Sequence, residues 1–192
     1  GPGTVTFANA VDTTATFSTT GTYVLQLSAN DTAATTTDTV TVTVNPGVVA
    51  TEDFESGGWT GGTGWSANWS HSTSNSSVAT SGSPHGGTYH VRILKAGYAQ
   101  RTVDLTGRSN LWLSYWWKAN SFESSDKAYV KVYDGTWHTV QTIADGNDDN
   151  AYHQADIDLS SYTMGSGFIV RFEGAMDATN DYLYIDDIEI AP

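Results

Sequence analysis

The sequence predicts an all-β chain: an antiparallel jelly-roll β-sandwich preceded by a shorter, partial β-sandwich. Three observations lead there. Apolar and polar residues alternate with period two along most apolar segments, those segments are rich in Val, Ile, Thr, Tyr and Trp, and clusters of Gly, Asn, Asp or Pro separate them. No segment sustains the three-and-four apolar spacing of an amphipathic helix, so helix is expected to be nearly absent.

The first group of strands is "TVTF" at 4–7, "TATF" at 14–17, "TYVLQLSAND" at 22–31 and "DTVTVTV" at 38–44, broken by "TTG" and "NDT". "NPG" at 45–47 ends the group, because proline cannot donate to a strand ladder and glycine weakens one. This gives a first domain over 1–46, a linker over 47–51 and a second domain over 52–192. Further strands are expected near 49–55, 65–71, 88–95, 98–105, 110–119, 127–134, 137–144, 152–159, 167–175 and 182–190. About ten antiparallel strands in that length suit a two-sheet jelly roll, which closes most of its own edges.

Charge narrows the partners. Among 192 residues, 21 are acidic and 8 basic, for a net charge of −13. Little is left to neutralise phosphates, so nucleic acid and anionic membrane are poor partners, while divalent cations and neutral ligands are better ones. The absence of cysteine excludes a disulfide framework and a thiolate zinc site. No apolar run is long enough to span a membrane, and the sequence shows no signal peptide. The low charge and abundant Thr, Ser, Gly, Trp and Tyr resemble those of extracellular bacterial β-proteins, and the chain reads as a mature piece of a longer polypeptide.

Acidic residues crowd both ends of the second domain. "EDFESGGWTGG" at 52–62 carries Glu52, Asp53 and Glu55, and "YIDDIEI" at 184–190 carries Asp186, Asp187 and Glu189. First and last strands of a jelly roll commonly lie side by side, which would bring Glu55 near Asp186 or Asp187. Facing carboxylates repel unless something positive lies between them, and Ca²⁺, with about six to eight oxygen ligands in tolerant geometry, suits such a place. Glu52 and Glu189 are expected to face water. "DGNDDN" at 145–150 reads as a solvated hairpin turn, with a second calcium site as the alternative.

Two resemblances add to this. "GPGTVTF", "GTYVLQLSAND" and "DTVTVTVNP" resemble the second half of a PKD-type immunoglobulin-like domain, whose preceding strands, about three, are missing here. Either the boundary cuts a domain, or other copies or a neighbouring domain supply the missing strands to residues 1–46. "EDFE…W", "GSPHGGTYHVRI", "LSYWWKA" and "YIDDIEI", in that order, resemble the calcium-bearing jelly rolls that include MAM-like domains and carbohydrate-binding modules. That resemblance implies a structural Ca²⁺ held by Glu55, Asp53, the turn from His85 to Thr88, and Asp186 with Asp187 in competition for the place.

Alternation sorts the aromatic residues by face. Leu111, Leu113, Tyr115 and Trp117 form one face of their strand, and Ala128, Val130 and Val132 and then Phe168, Val170 and Phe172 do the same in theirs; all are expected in the core. One outward sheet face is therefore expected to carry Trp116, Lys118, Tyr129, Lys131 and Arg171 together. Flat rings beside hydrogen-bonding cations fit a polysaccharide or other glycan, whose C–H faces stack on aromatics while its hydroxyls need polar partners. Trp59, Trp65, Trp69, Trp137, Phe122 and Tyr152 form a second, loop-borne candidate group.

Nothing points to catalysis. There is no nucleophile elbow, HExxH or phosphate-binding loop, and no acid pair placed for glycoside cleavage; a meeting of His90, His138 and His153 is the one open alternative. The expected function is a non-catalytic, extracellular, calcium-stabilised carbohydrate-binding or adhesive module of a larger secreted or surface protein. The alternative is a subunit of an extracellular fibre or sheath assembled by strand complementation through residues 1–46.

Overall fold

A computed structural model describes residues 1–7, 13–44 and 47–192; Asn45 and Pro46 of the expected break lie outside the described residues. The chain divides into two compact units, Gly1–Gly47 and Val48–Pro192. Every regular element among the described residues is a β-strand.

In the first unit, β1 (Val5–Phe7) pairs antiparallel with β2 (Ala15–Phe17), and β3 (Gly21–Asn30) pairs with β4 (Thr35–Val44) from Gly21 opposite Val44 to Asn30 opposite Thr35. Asp31 shapes the turn between β3 and β4 by accepting the N–H groups of Ala33 and Ala34. Tyr23 is the anchor: its ring is buried against Phe17 at 4.8 Å and its hydroxyl donates to the Thr19 carbonyl. Phe7, Val24, Leu27 and Val40 remain exposed, so this unit buries little of its apolar surface.

The second unit is a two-sheet antiparallel sandwich. Its strands are β5 (Ala50–Glu52), β6 (Ser70–His71), β7 (Ser76–Ala79), β8 (His90–Leu94), β9 (Tyr98–Val103), β10 (Trp112–Asn120), β11 (Lys127–Tyr133), β12 (Trp137–Ala144), β13 (His153–Asp158), β14 (Phe168–Ala175) and β15 (Tyr182–Ala191). One sheet runs β13-β10-β15-β8-β7, with β5 also on β15; the other runs β12-β11-β14-β9-β6. The first and last strands are therefore neighbours, with Ile188 opposite Glu52 and Ile190 opposite Ala50. The short β7, "SSVA", is the one strand here that alternation does not announce.

The predicted inward faces form the core: Leu113, Tyr115 and Trp117, Ala128, Val130 and Val132, and Phe168, Val170 and Phe172 are all buried. A β-bulge interrupts β15 where it pairs with β10 between Ser114 and Trp116. Asp187, at φ 45°, takes up the extra residue, so Ile185 and Ile188 both point inward while Asp186 points out of the sandwich.

Glu52, expected in water, is buried together with Arg101 of β9. The reason is a closed set of partners. Arg101 pairs with Glu52 Oε2 through Nη1, which also donates to the Gly61 carbonyl, while its Nε donates to the Ala67 carbonyl. Glu52 also accepts the Trp69 indole N–H at 3.0 Å and the Phe54 N–H at 3.1 Å. The guanidinium lies over the rings of Trp65 and Trp69, at 5.2 and 5.8 Å. Removing one partner of such a pair leaves an uncompensated charge. Arg101→Met is expected to lower the unfolding free energy by about 3–5 kcal/mol in urea denaturation; a loss below about 1 kcal/mol would mean that the pair is not the clamp described.

Candidate functional site

The predicted ligand-binding residues divide between the two sheets. Tyr129 and Lys131 on β11 and Arg171 on β14 share the outer face of the five-stranded sheet, with Lys131 directly opposite Arg171. Trp116 and Lys118 lie on β10 in the six-stranded sheet. Expecting all five on one surface is thus corrected, because alternation gives the face of a strand and not the sheet it joins.

The loop 81–89 also covers the face that carries Trp116 and Lys118. The His85 ring stacks on Trp116 at 3.8 Å and 14°. Lys118 is 3% exposed; its ammonium donates to the carbonyls of Gly82 and Ser83 and lies between the rings of Tyr152 and Tyr184, at 4.6 and 4.8 Å. Burial lowers the pKa of this lysine. A cation so enclosed holds a loop and is not free to meet a sugar.

The outer face of the five-stranded sheet is open. Arg171 is flanked by two rings, its guanidinium 4.4 Å from the Tyr98 centroid and 5.6 Å from that of Trp137. Trp137 is 44% exposed and adjoins Tyr133 at 5.3 Å. Lys131 lies 5.1 Å over the Tyr129 ring. The repulsion between the facing Lys131 and Arg171 is relieved by Glu173, which approaches Lys131 Nζ at 3.1 Å and Arg171 Nε at 2.7 Å. Gln100 accepts from Arg171 Nη1 at 3.3 Å. Sequence reasoning placed Trp137 in a loop and left out Tyr98 and Glu173. The missing signal is cross-strand register: Glu173 faces both Tyr98 and Tyr129, and Tyr133 faces Trp137.

The predicted calcium residues lie around the 85–89 turn, with divided roles, but among the described residues no three of their ligand atoms lie within 4.8 Å of one another. Glu55 Oε1 accepts the N–H groups of Thr88 and Tyr89, both at 2.8 Å. Asp187 Oδ2 meets His85 Nδ1 at 2.6 Å. Asp186 is fully buried, and both of its oxygens accept backbone N–H groups: Oδ2 those of His85 and Gly86, Oδ1 that of Asp187. Asp53 Oδ1 caps the Glu55 N–H, and Asp53 and Asp187 line one open cleft of ≈ 370 Å³. Gly86 and Gly87 allow the close approach, since a Cβ on either would collide with the carboxylate of Asp187 or Glu55. The backbone 85–89 thus wraps around Glu55, Asp186 and Asp187, and Glu55 Oε2 and Asp187 Oδ1 carry no hydrogen bond among the described residues.

The remaining sequence candidates separate. Asp148 of the 145–150 turn accepts the N–H groups of Phe122 and Gly146, and Asp149 pairs with His153. His138 pairs with Asp134, and His90 lies buried between Tyr152 Oη and the Ser81 carbonyl, so the three histidines form no common site. Trp65 and Trp69 serve the Glu52–Arg101 clamp, Trp59 stacks on His71 at 4.1 Å, and Phe122 is buried.

No protein-family model matches the sequence, and no curated protein matches it. The fold has solved counterparts. A structure of TmCBM61 in complex with β-1,4-galactotriose superposes with a TM-score of 0.52 at 18% identity, over 72% of this chain and 92% of that one. The CBM22-1 xylan-binding domain from Paenibacillus barcinonensis Xyn10C gives 0.55 at 13%, over 77% and 95%. The K2 cleaved adhesin domain of Lys-gingipain gives 0.53 at 17%, over 74% and 98%. The second unit is a jelly-roll β-sandwich of the kind seen in carbohydrate-binding modules.

Two buried groups beneath the 81–89 loop titrate in opposite senses. Burial, with help from the Lys118 and Arg92 charges and against the bond to Ser81, lowers His90 to about 4, so its contribution to stability is complete above about 6.5 and is lost as pH falls toward 4. Burial, reinforced by the Asp187 charge and opposed by the backbone donors, raises Asp186 to about 7, so its contribution shrinks as pH rises toward 7. The wild-type curve mixes both. His90→Gln is expected to be less stable at pH 7 and to lose less melting temperature than wild type between pH 6.5 and 4; parallel curves would remove His90 from this account.

Proposed function

We propose that the chain is a non-catalytic carbohydrate-binding or adhesive module of a larger secreted or surface bacterial protein, and that it binds polysaccharide on the outer face of its five-stranded sheet. The observation that carries this is Arg171 held between Tyr98 and an exposed Trp137, with Lys131 on Tyr129 beside it. The exposed rings supply the apolar platform for a pyranose face, and the cations and Glu173 supply donors and acceptors for its hydroxyls. Cation–π and ion-pair contacts fix these side chains before ligand arrives, which limits the entropy cost of binding. The galactotriose and xylan bound by modules of the same fold favour a neutral polysaccharide. No compared structure favours the fibre-subunit alternative.

We further propose that the carboxylates near the first and last strands hold a structural Ca²⁺. The free oxygens of Glu55 and Asp187, an all-oxygen donor set with Asp53 and the carbonyls of the 85–88 turn, fit a hard divalent cation. Asp186 would then orient the turn by its hydrogen bonds while Asp187 takes the ligand position. Bound Ca²⁺ would neutralise the cluster and fasten β5 and the 81–89 loop to β15.

Titration calorimetry against xylan, β-1,4-galactan and a mixed-linkage glucan tests the glycan reading. Trp137→Ala and Arg171→Ala are each expected to weaken binding by about 5- to 30-fold, equal to about 1–2 kcal/mol for a ring contact. Trp116→Ala is expected to lower the melting temperature and spare binding. Unweakened binding in Trp137→Ala, or no binding by wild type to any of the three, would overturn the assignment. Separately, chelator is expected to lower the wild-type melting temperature and to change that of Glu55→Gln much less; equal shifts in both would remove Glu55 from the ligand set.

A further inference from the structure

Four carboxylates outside both sites gather where two loops meet. Glu123 and Asp126 belong to the β10–β11 loop, and Asp177 and Asp181 to the β14–β15 loop. One oxygen from each lies within 4.8 Å of the others. Asp126 and Asp181 are 2% and 0% exposed, whereas Glu123 and Asp177 reach solvent. The sequence gives no hint of the group, because its halves are about fifty residues apart and neither resembles a metal-binding loop.

Part of this acidity has an ordinary use. Asp126 Oδ2 accepts the Glu123 N–H at 3.0 Å, its Oδ1 accepts the Asp177 N–H at 3.3 Å, and Asp181 Oδ2 accepts the Ala178 N–H at 2.9 Å. These bonds shape the two loops and join them. They leave Asp181 Oδ1 buried with no hydrogen-bond partner. A buried carboxylate oxygen without a donor is costly, and the cost grows when like charges crowd it. Among the described residues no lysine, arginine or histidine forms an ion pair with any of the four acids.

We propose that Glu123, Asp126, Asp177 and Asp181 form a second divalent-cation site, selective for Ca²⁺, with Asp181 Oδ1 as its innermost ligand. Four carboxylate ligands with no nitrogen or sulfur define a hard-cation site, and two ligands open to water leave room for the irregular, partly hydrated sphere that Ca²⁺ accepts more readily than Mg²⁺. The ion would bind the β10–β11 and β14–β15 loops together beside the start of β15. The Glu55–Asp187 group lies about 20 Å along the same strand, so the two sites would load independently.

The test is calorimetric titration of chelator-treated full chain with CaCl₂ at pH 7.5, counting ions bound. Wild type is expected to bind one more Ca²⁺ than Asp181→Asn, and Glu123→Gln is expected to keep that ion with affinity reduced about tenfold through loss of one ligand charge. Glu123 is exposed, so its variant decides the matter should Asp181→Asn fail to fold. If both variants bind Ca²⁺ as wild type does, the inference is overturned. Asp181→Asn stabilising the protein with an unchanged ion count would mean that the acids share a proton instead. Glu55→Gln distinguishes the sites: loss of an ion there with none lost in Asp181→Asn leaves the first site standing and removes this one.

Discussion

The buried pair of Glu52 and Arg101 is the constraint on which the arrangement of the second unit rests. Glu52 ends β5 in the six-stranded sheet and Arg101 lies in β9 of the five-stranded one, so the pair crosses the sandwich. Neither charge can be buried alone, which means that β5 must lie beside β15 with its end turned to the interior. The carbonyls of Gly61 and Ala67 and the indole of Trp69 complete the set, so the 53–69 segment is folded around the same two side chains. Placement of Asp53 and Glu55 next to the 85–89 turn follows from that, since they begin the chain's departure from this fixed point. The pair acts together with the burial of Ala50 and Phe54 on either side of Glu52 to fix the register of β5 on β15.

The two outer faces differ for a related reason. On the six-stranded sheet, Trp116 and Lys118 project where the 81–89 loop returns, and the loop closes over them by stacking His85 on Trp116 and giving two carbonyls to Lys118. The β15 bulge assists by turning Asp186 toward the N–H groups of that loop. Among the described residues of the second unit no comparable loop covers the centre of the other sheet, where Arg171, Lys131 and Glu173 neutralise one another along the surface beside flat rings.

How much of this was legible in the sequence follows from the range of each interaction. Side-chain alternation is local, so the inward residues of β10, β11 and β14 and the all-β class could be read directly. The two end strands could be paired because the fold class itself predicts that adjacency. Sheet membership of β10 could not be read, and Trp116 and Lys118 were grouped with residues across the core for that reason. Glu52 looked like a solvated acid because its partner lies 49 residues away and has no local signature. Tyr98 and Glu173 come together only through register across three strands, which period-two patterning leaves open.

The excess of acidic residues reads differently once each is placed. Asp31, Asp134 and Asp158 are held below the ordinary carboxylate range first by the backbone N–H groups of Ala34, Thr163 and Ser160, Asp104 by the hydroxyl and N–H of Thr106, and Asp149 by His153. Much of the net charge of −13 is therefore turn chemistry: an all-β chain needs many tight connections, and aspartate closes them by accepting N–H groups that no ladder satisfies. An acid used in that way requires no cation. What sets Asp181 apart is that after capping its turn it still holds a buried, unpartnered oxygen, in a side chain that gathers with three other carboxylates. Acidic composition alone points to no particular site, and only the accounting of every donor around each carboxylate separates a turn cap from a ligand.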